Sequence, residues 1–120
     1  MTIPDMVAAW DDEIQAELLD LEHQRTECGA AILEAEETFA AAKDVLTSVR
    51  KFYRDDPAHR ADRALPTAID RRIERLEMAA RTAQGRIMLE RNRLANLKIT
   101  IADRVEALAF VGRRRSAEAA

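Results

Sequence analysis

The chain has 120 residues, of which 48% are apolar and 34% are charged, and its net charge at neutral pH is -3; these values are ordinary for one soluble helical domain. Only 4% of the residues are aromatic, which argues against a thick globular core and favours a slender bundle. Residues 1–6 lack a basic stretch followed by an apolar run, and no stretch of about 18 apolar residues occurs, so we expect a soluble, cytoplasmic protein without membrane contact.

An apolar residue recurs every seven positions along the first half of the chain. The series consists of Val7, Ile14, Leu21, Cys28, Ala35, Ala42 and Val49, and it is interleaved with Leu18, Ile32, Phe39, Leu46 and Tyr53. A period of 3.5 residues is typical of helices that supercoil around one another. Pro4 suits the first turn of such a helix, and Pro57 disfavours helical angles at Asp56, so the pattern predicts helix one over residues 4–54.

The same repeat resumes after a linker over residues 55–65. It consists of Ile73, Ala80, Ile87, Leu94, Ile101 and Leu108, interleaved with Ile69, Leu76, Ala83, Leu97 and Val111. Pro66 suits the first turn of helix two, and Gly112 suits its C-cap. We therefore predict helix two over residues 66–111 and a basic tail over residues 112–120.

Opposite charges favour pairing between the two helices. Residues 1–54 carry 12 acidic and 5 basic side chains, a net charge of -7, whereas residues 57–120 carry 14 basic and 8 acidic ones, a net charge of +6. Like helices would repel one another, and the linker allows the chain to fold back on itself. The sequence thus predicts a single all-α domain, an antiparallel two-helix coiled-coil hairpin.

The repeating apolar residues form a stripe along each helix, and charged residues beside this apolar stripe provide a test of the antiparallel register. With the Val7 series at heptad position d and the Leu18 series at a, antiparallel helices place e positions opposite one another. The predicted pairs are Arg50 with Asp70, Lys43 with Glu77, and Glu22 with Lys98. All three are complementary and so favour the antiparallel orientation, although each exposed pair contributes only about 0.5 kcal/mol.

The g positions of helix one carry few charges and include Trp10, Val45 and Phe52. A two-stranded coil would leave these three large side chains in water. We therefore expect this g flank to be covered, either by a second copy of the chain, giving a homodimeric four-helix bundle, or by a different protein.

Four polar residues interrupt the apolar stripe: Asp11, Arg25, Glu90 and Arg104. One interpretation is that the two arginines extend their aliphatic stems along the core and reach nearby carboxylates. The other is that these residues set the register and the oligomeric state, as isolated polar core residues do in some coiled coils.

Both ends of the predicted hairpin offer candidate binding residues. Phe52, Tyr53 and Arg54 lie next to the linker, where they either contact a partner or close the hairpin. At the other end the register brings Trp10 near Phe110 and the basic tail, where Arg113 or Arg114 can lie over the indole ring. The candidate partner-binding residues are therefore Trp10, Val45, Phe52, Tyr53, Arg54, Arg113, Arg114 and Arg115.

No arrangement of residues predicts catalysis, a metal site or a cofactor site. His23 falls at an outward f position, His59 lies in the linker, and Cys28 lies on the apolar stripe, where a free thiol behaves as a small hydrophobe. The glycines are isolated and form no phosphate-binding loop. We expect no enzyme activity, no metal and no cofactor.

Two functional hypotheses follow. The first is a noncatalytic protein–protein interaction module, such as an adaptor, assembly factor, chaperone or inhibitor, that binds a protein partner through the g flank or the hairpin tip. The second, which the acidic helix one and the lack of interleaved aromatic residues disfavour, is a nucleic-acid-associated protein that uses the arginines of helix two and the tail. Arginine outnumbers lysine by 16 to 3, a composition typical of GC-rich bacterial or phage genomes.

Overall fold

A computed structural model describes residues 2–55 and 64–119, except for the side chains of residues 53–55, 64–67, 118 and 119. Helix α1 spans Ile3–Asp55 and helix α2 spans Ala64–Ala119. Every described residue after Thr2 is helical, so this part of the chain contains no strand. The predicted all-α class and the two long helices are confirmed.

The N-terminus of α1 is capped by reciprocal hydrogen bonds between Thr2 and Asp5. The amide of Asp5 donates to Thr2 Oγ1 over 3.3 Å, and the amide of Thr2 donates to Asp5 Oδ2 over 3.2 Å. The Thr2 hydroxyl also donates to Asp5 Oδ2 over 2.7 Å. This pattern is a capping box, which satisfies amide groups that the helix itself leaves without partners, and Pro4 lies in the first turn as predicted.

Helix α2 is longer than the sequence pattern predicts. It begins at Ala64 and continues through Gly112 to Ala119, so the predictions of a C-cap at Gly112 and of a separate basic tail over residues 112–120 are wrong. Gly112 has no positive φ, and therefore it does not adopt the left-handed conformation of a glycine C-cap. One glycine costs a helix only about 1 kcal/mol relative to alanine. Because the Arg and Ala residues that follow are good helix formers, α2 continues through Gly112.

The structure divides into two compact units, each built from one segment of each helix. Unit 1 comprises Met1–Ala30 and Arg91–Ala120, and unit 2 comprises Ala31–Glu90. In unit 1, Trp10 contacts Phe110 and Glu17 contacts Arg104. As residue numbers rise along α1 they fall along α2, so the two segments of unit 1 are antiparallel.

Unit 2 has the same antiparallel arrangement. Glu34 contacts Arg86, and Arg50 contacts Glu77 further along. The predicted antiparallel pairing of the helices is therefore confirmed within each unit.

The cores of both units consist of heptad a and d residues. Among the described residues, the buried apolar ones of unit 1 are Ile14, Cys28, Leu97, Ile101 and Val111. Those of unit 2 are Ile32, Ala35, Ala42, Leu46, Ala80, Ala83 and Ile87. All of them belong to the predicted stripe, and Cys28 is a buried free thiol, so the 3.5-residue repeat identifies the core correctly.

Candidate protein interaction surfaces

Trp10 and Phe110 form an exposed aromatic pair in unit 1. Their ring centroids are 6.2 Å apart and the ring planes meet at 63°, an edge-to-face arrangement. Trp10 is 45% exposed and Phe110 is 51% exposed. The predicted proximity of these two residues is confirmed, and the pair offers a large, rigid apolar surface to a partner.

Two further exposed side chains extend this pair along α1. Ile3 and Met6 are both exposed, and they precede Trp10 by seven and four residues. Residues at such intervals lie on one face of a helix. We name the set Ile3, Met6, Trp10 and Phe110 the aromatic patch. Tryptophan and methionine are enriched in the centres of protein interfaces, so the composition of the patch is that of a binding surface.

Next to the aromatic patch, Arg115 pairs with the buried carboxylate of Asp11. Arg115 Nη1 donates to Asp11 Oδ2 over 2.7 Å, and Gln15 Nε2 donates to the same oxygen over 3.1 Å. Asp11 is only 7% exposed. Arg115 thus pairs with α1 within unit 1. The partner-binding roles of Arg113, Arg114 and Arg115 stay predictions, as does the stacking of Arg113 or Arg114 on Trp10.

Sequence reasoning missed the pairing of Arg115 because it ended helix two at Gly112. The heptad repeat could have predicted this pairing, because Arg115 follows Leu108 by seven residues and so occupies the same heptad position, a. An uninterrupted helix therefore carries the arginine onto the same stripe as Asp11.

Arginines of the stripe reach carboxylates, as the first of the two interpretations predicts. Arg104 Nε donates to Glu17 Oε2 over 2.5 Å, and Arg25 Nη2 lies 2.6 Å from Glu22 Oε2. Both guanidinium groups are partly exposed, so their heads remain hydrated while their stems follow the core.

The ion pairs beside the stripe differ in detail from the predicted ones. Arg50 Nη2 pairs with Glu77 Oε1 over 2.5 Å instead of with Asp70. The Cα–Cβ bonds of a helix tilt toward its N-terminus, so in an antiparallel pair Arg50 and Glu77 lean toward one another. Arg50 and Asp70 lean apart, which explains the error.

The other two predicted ion pairs, Glu22 with Lys98 and Lys43 with Glu77, are also replaced by different contacts. Glu22 pairs with Arg25 on its own helix, instead of with Lys98. The Lys43 amino group lies over the ring of Phe39, 5.9 Å from its centroid, and Lys43 and Glu77 line one groove without the predicted ion pair between them. The complementary charges of the two helices therefore predicted the antiparallel orientation, but not which residues form the individual ion pairs.

Val45 and Phe52 are exposed in unit 2, and the covering of the g flank by a second copy or a different protein stays a prediction. The side chains of Tyr53 and Arg54, the other two candidates next to the linker, lie outside the described residues. The linker residues 56–63 are likewise outside, so the predicted binding role of the tip stays a prediction.

Unit 2 has a groove of about 430 Å³ between α1 and α2. We name it the arginine groove, because Arg75 and Arg86 line it at either end along α2. Its other lining residues are Met78 and the small residues Ala35, Thr38, Ala79, Thr82 and Ala83. Small side chains permit the close approach of another helix. A second groove of about 450 Å³ contains the Arg50–Glu77 ion pair and is more polar in composition.

The charges around the arginine groove are incompletely neutralised. Arg86 Nη1 lies 3.8 Å from Glu34 Oε1, close to the limit for an ion pair. Arg75 forms no ion pair with the residues that the structure describes, and neither do Glu37 and Asp44 on α1. Unit 2 therefore carries unpaired charges of opposite sign on its two helices.

Neither a membrane-spanning helix nor a metal-binding cluster is found in the described part of the chain. Over residues 2–55 and 64–119, no helix combines the length and apolar character that a bilayer requires. The same residues include no group of three or more His, Cys, Asp or Glu side chains arranged around a common point. His23 lies 3.0 Å from Glu27 on the exposed face of α1, and His59 lies outside the described residues.

Comparisons of the chain with protein-family models, with curated proteins and with solved structures give no match.

Proposed function

We propose that this protein is a noncatalytic protein–protein interaction module of the adaptor, assembly factor, chaperone or inhibitor kind, and that it acts as a homodimer. The observation that supports the proposal most directly is the aromatic patch. Its four large apolar side chains are exposed on a protein with only five aromatic residues in total, Trp10, Tyr53 and three phenylalanines. Placing two of those five together at the surface concentrates binding energy at one point.

The energetics of the aromatic patch favour binding. Burial of a large apolar side chain contributes about 1.5–3 kcal/mol, and part of this gain is normally lost to ordering of the interface. Trp10 already packs edge-on against Phe110 and both residues extend from helices. A partner therefore meets a preorganised surface, and less of the gain is lost.

The homodimer is supported by the second set of exposed residues. Val45 lies on the g flank of unit 2, and the arginine groove opens between the helices of the same unit. A second hairpin that covers this flank would complete a four-helix bundle. The two surfaces thus have separate roles in the proposal, self-association in unit 2 and binding of a different protein in unit 1.

The role of the aromatic patch is tested by capture of partners from an extract of the native host. The Trp10→Glu variant is compared with Leu19→Glu, since Leu19 is equally a large exposed residue of unit 1 on α1 but lies outside the patch. We expect a protein identified by mass spectrometry to bind the unmodified chain and Leu19→Glu, and to bind Trp10→Glu at least about tenfold more weakly. Equal binding by both variants would disprove the role of the patch.

A second candidate function is association with nucleic acid. Arg71, Arg72 and Arg75 are exposed near the start of α2 and form no ion pair with other described residues, which favours this candidate. Glu74 and Glu77 lie between and beside them, which weakens a phosphate-binding surface. A salt titration of binding to nonspecific DNA separates the two functions, because phosphate contacts lose affinity steeply as salt increases. Absence of binding at low salt would exclude this candidate.

A further inference from the structure

Within the proposed function, we infer that the aromatic patch binds a basic amphipathic helix of the partner protein. An apolar side chain of this helix lies against Trp10 and Phe110, and its Lys or Arg side chains meet Glu13 and Asp103. The inference rests on the proposed binding of a different protein in unit 1 and adds the chemistry of that partner. Three observations support it: the limited area of the patch, the acidic side of unit 1 on which it lies, and the spacing between the acids and the rings.

The aromatic patch alone is too small to hold a protein partner. Trp10 is 45% exposed and Phe110 is 51% exposed, so each leaves roughly 100 Å² of side-chain surface in water. Even with Ile3 and Met6, which are exposed to a similar extent, the area is about half of the ~800 Å² that each side of a stable interface buries. A partner must therefore also contact the residues around the patch, and their charges decide which partner fits.

The side of unit 1 that bears the patch is acidic. Trp10 occupies heptad position g of α1, Phe110 occupies position c of α2, and their contact shows that these positions lie on the same side of the helix pair. The g and c positions of unit 1 carry five acids and two arginines, namely Glu13, Glu17, Asp20, Glu27 and Asp103 with Arg93 and Arg114. The net charge of this side is therefore -3, which attracts a basic partner and repels phosphate groups.

Three of these acids remain open to a partner. Glu17 and Glu27 already have basic partners. Glu13, Asp20 and Asp103 are exposed and form no ion pair with another described residue. Each can accept a charge-assisted hydrogen bond from an arriving Lys or Arg side chain, so a basic partner finds acceptors that the chain itself leaves open.

The acids lie at helical intervals from the two rings. Glu13 follows Trp10 by three residues and Asp103 precedes Phe110 by seven, which corresponds to about 4.5 Å and 10.5 Å along the helix axes. Because the two segments are antiparallel, both intervals run in the same direction from the rings. Residues three or four and seven positions from an apolar anchor lie on one face of a helix at about these distances. The partner helix should therefore carry Lys or Arg at those positions.

A helix fits this surface better than an extended strand does. Every described residue after Thr2 is helical, so this part of the chain offers no sheet edge to which a strand could add. Arg113 is exposed three residues beyond Phe110, in the direction away from Asp103. A base on that side of the anchor would meet a like charge, so the basic residues of the partner extend from the anchor in one direction only.

The chain's own exposed basic residues fit the surface less well. In unit 2, Met78 is exposed, and Arg75 and Arg71 precede it by three and seven residues. Residues 70–78 nevertheless carry three acids beside three arginines. This segment has no net positive charge and would bring acids onto an acidic surface, so charge favours a different protein over a second copy.

The inference is tested by selecting helical peptides on the full chain. A phage-displayed library of peptides of about 18 residues, long enough to be helical, is depleted on the Trp10→Glu variant and then enriched on the unmodified chain. We expect enriched sequences to carry an apolar residue with Lys or Arg three or four and seven positions away on one side. Neutral or acidic enriched sequences would overturn the inference while the patch keeps its role. If no peptide distinguishes the two chains, the inference and the role of the patch fall together.

The affinity of the most enriched peptide, measured by fluorescence anisotropy, tests the two acids directly. Glu13→Lys/Asp103→Lys is expected to raise its dissociation constant at least about tenfold, because two attractions become repulsions. The control Glu37→Lys/Asp44→Lys makes the same change in charge at two exposed acids of unit 2 and should bind like the unmodified chain. Circular dichroism checks that the helices persist. Equal binding by both variants would contradict the inference, whereas weaker binding by Trp10→Glu would still support the patch.

Sedimentation velocity distinguishes a second copy from a different protein as the occupant. Trp10→Glu is expected to dimerise like the unmodified chain, because the proposed self-association involves unit 2. Loss of the dimer in this variant would mean that a second copy occupies the patch, and the inference would be wrong.

Discussion

Arg115, in the last turns of α2, donates a 2.7 Å hydrogen bond to the buried carboxylate of Asp11, in the first turns of α1. A buried carboxylate that loses its donor retains the cost of desolvation. The pair therefore links the ends of the two helical segments of unit 1.

We expect Arg115→Ala to lower the free energy of unfolding by about 1–3 kcal/mol, because Asp11 would keep only Gln15 as a donor. Urea denaturation measures the change. Arg113→Ala is the matched control, since Arg113 is exposed on the same turn, and its effect should stay within about 0.5 kcal/mol. Equal effects of the two variants would show that the Asp11 contact contributes nothing.

The Arg50–Glu77 pair should show a measurable but small coupling. Both side chains are partly exposed, so a double-mutant cycle with Arg50→Ala and Glu77→Ala should give about 0.2–1 kcal/mol, decreasing as salt is added. The corresponding cycle with Asp70→Ala should give no coupling. A larger coupling of Arg50 with Asp70 than with Glu77 would contradict the observed register.

The capping box predicts a pH-dependent contribution from Asp5. Its hydrogen bonds from the Thr2 side chain and then from the Thr2 backbone lower the pKa of the Asp5 carboxyl below its ordinary 3.8. The contribution to stability is therefore present above the unfolded-state pKa and is lost as the pH falls through the lower folded-state pKa. Thr2→Ala should move the pKa of Asp5 back toward its ordinary value, which an NMR titration measures; an unchanged pKa would contradict the role of Thr2.

Removal of Phe110 should expose Trp10 further. Phe110→Ala deletes the ring that packs against the indole, so the emission of Trp10 should shift to longer wavelength and the unfolding free energy should fall by about 0.5–1.5 kcal/mol. Leu19→Ala, at an exposed position of the same unit, should leave the emission unchanged. The absence of any shift in Phe110→Ala would mean that the two rings do not pack in solution.

The apolar repeat predicted the helices and the core, because burial of one face every 3.5 residues leaves little freedom in which residues face inward, and the opposite charges of the two halves predicted the antiparallel orientation. It did not predict the partner of Arg50, since the direction in which a side chain leans depends on Cα–Cβ geometry and not on heptad position. The end of α2 was also missed, because a glycine permits a C-cap without requiring one. Of the candidate contacts, the proximity of Trp10 to Phe110 followed from the register alone.

The alanines at the centre of unit 2 have a consequence for its dynamics. Ala35, Ala42, Ala80 and Ala83 fill four of its buried positions, whereas the buried apolar residues described in unit 1 include no alanine. A buried methyl group contributes less apolar area than a leucine or isoleucine side chain, so less free energy opposes local opening of unit 2, and its amide hydrogens should exchange with solvent sooner. If a second copy covers the groove beside these alanines, protein concentration sets how often this segment opens.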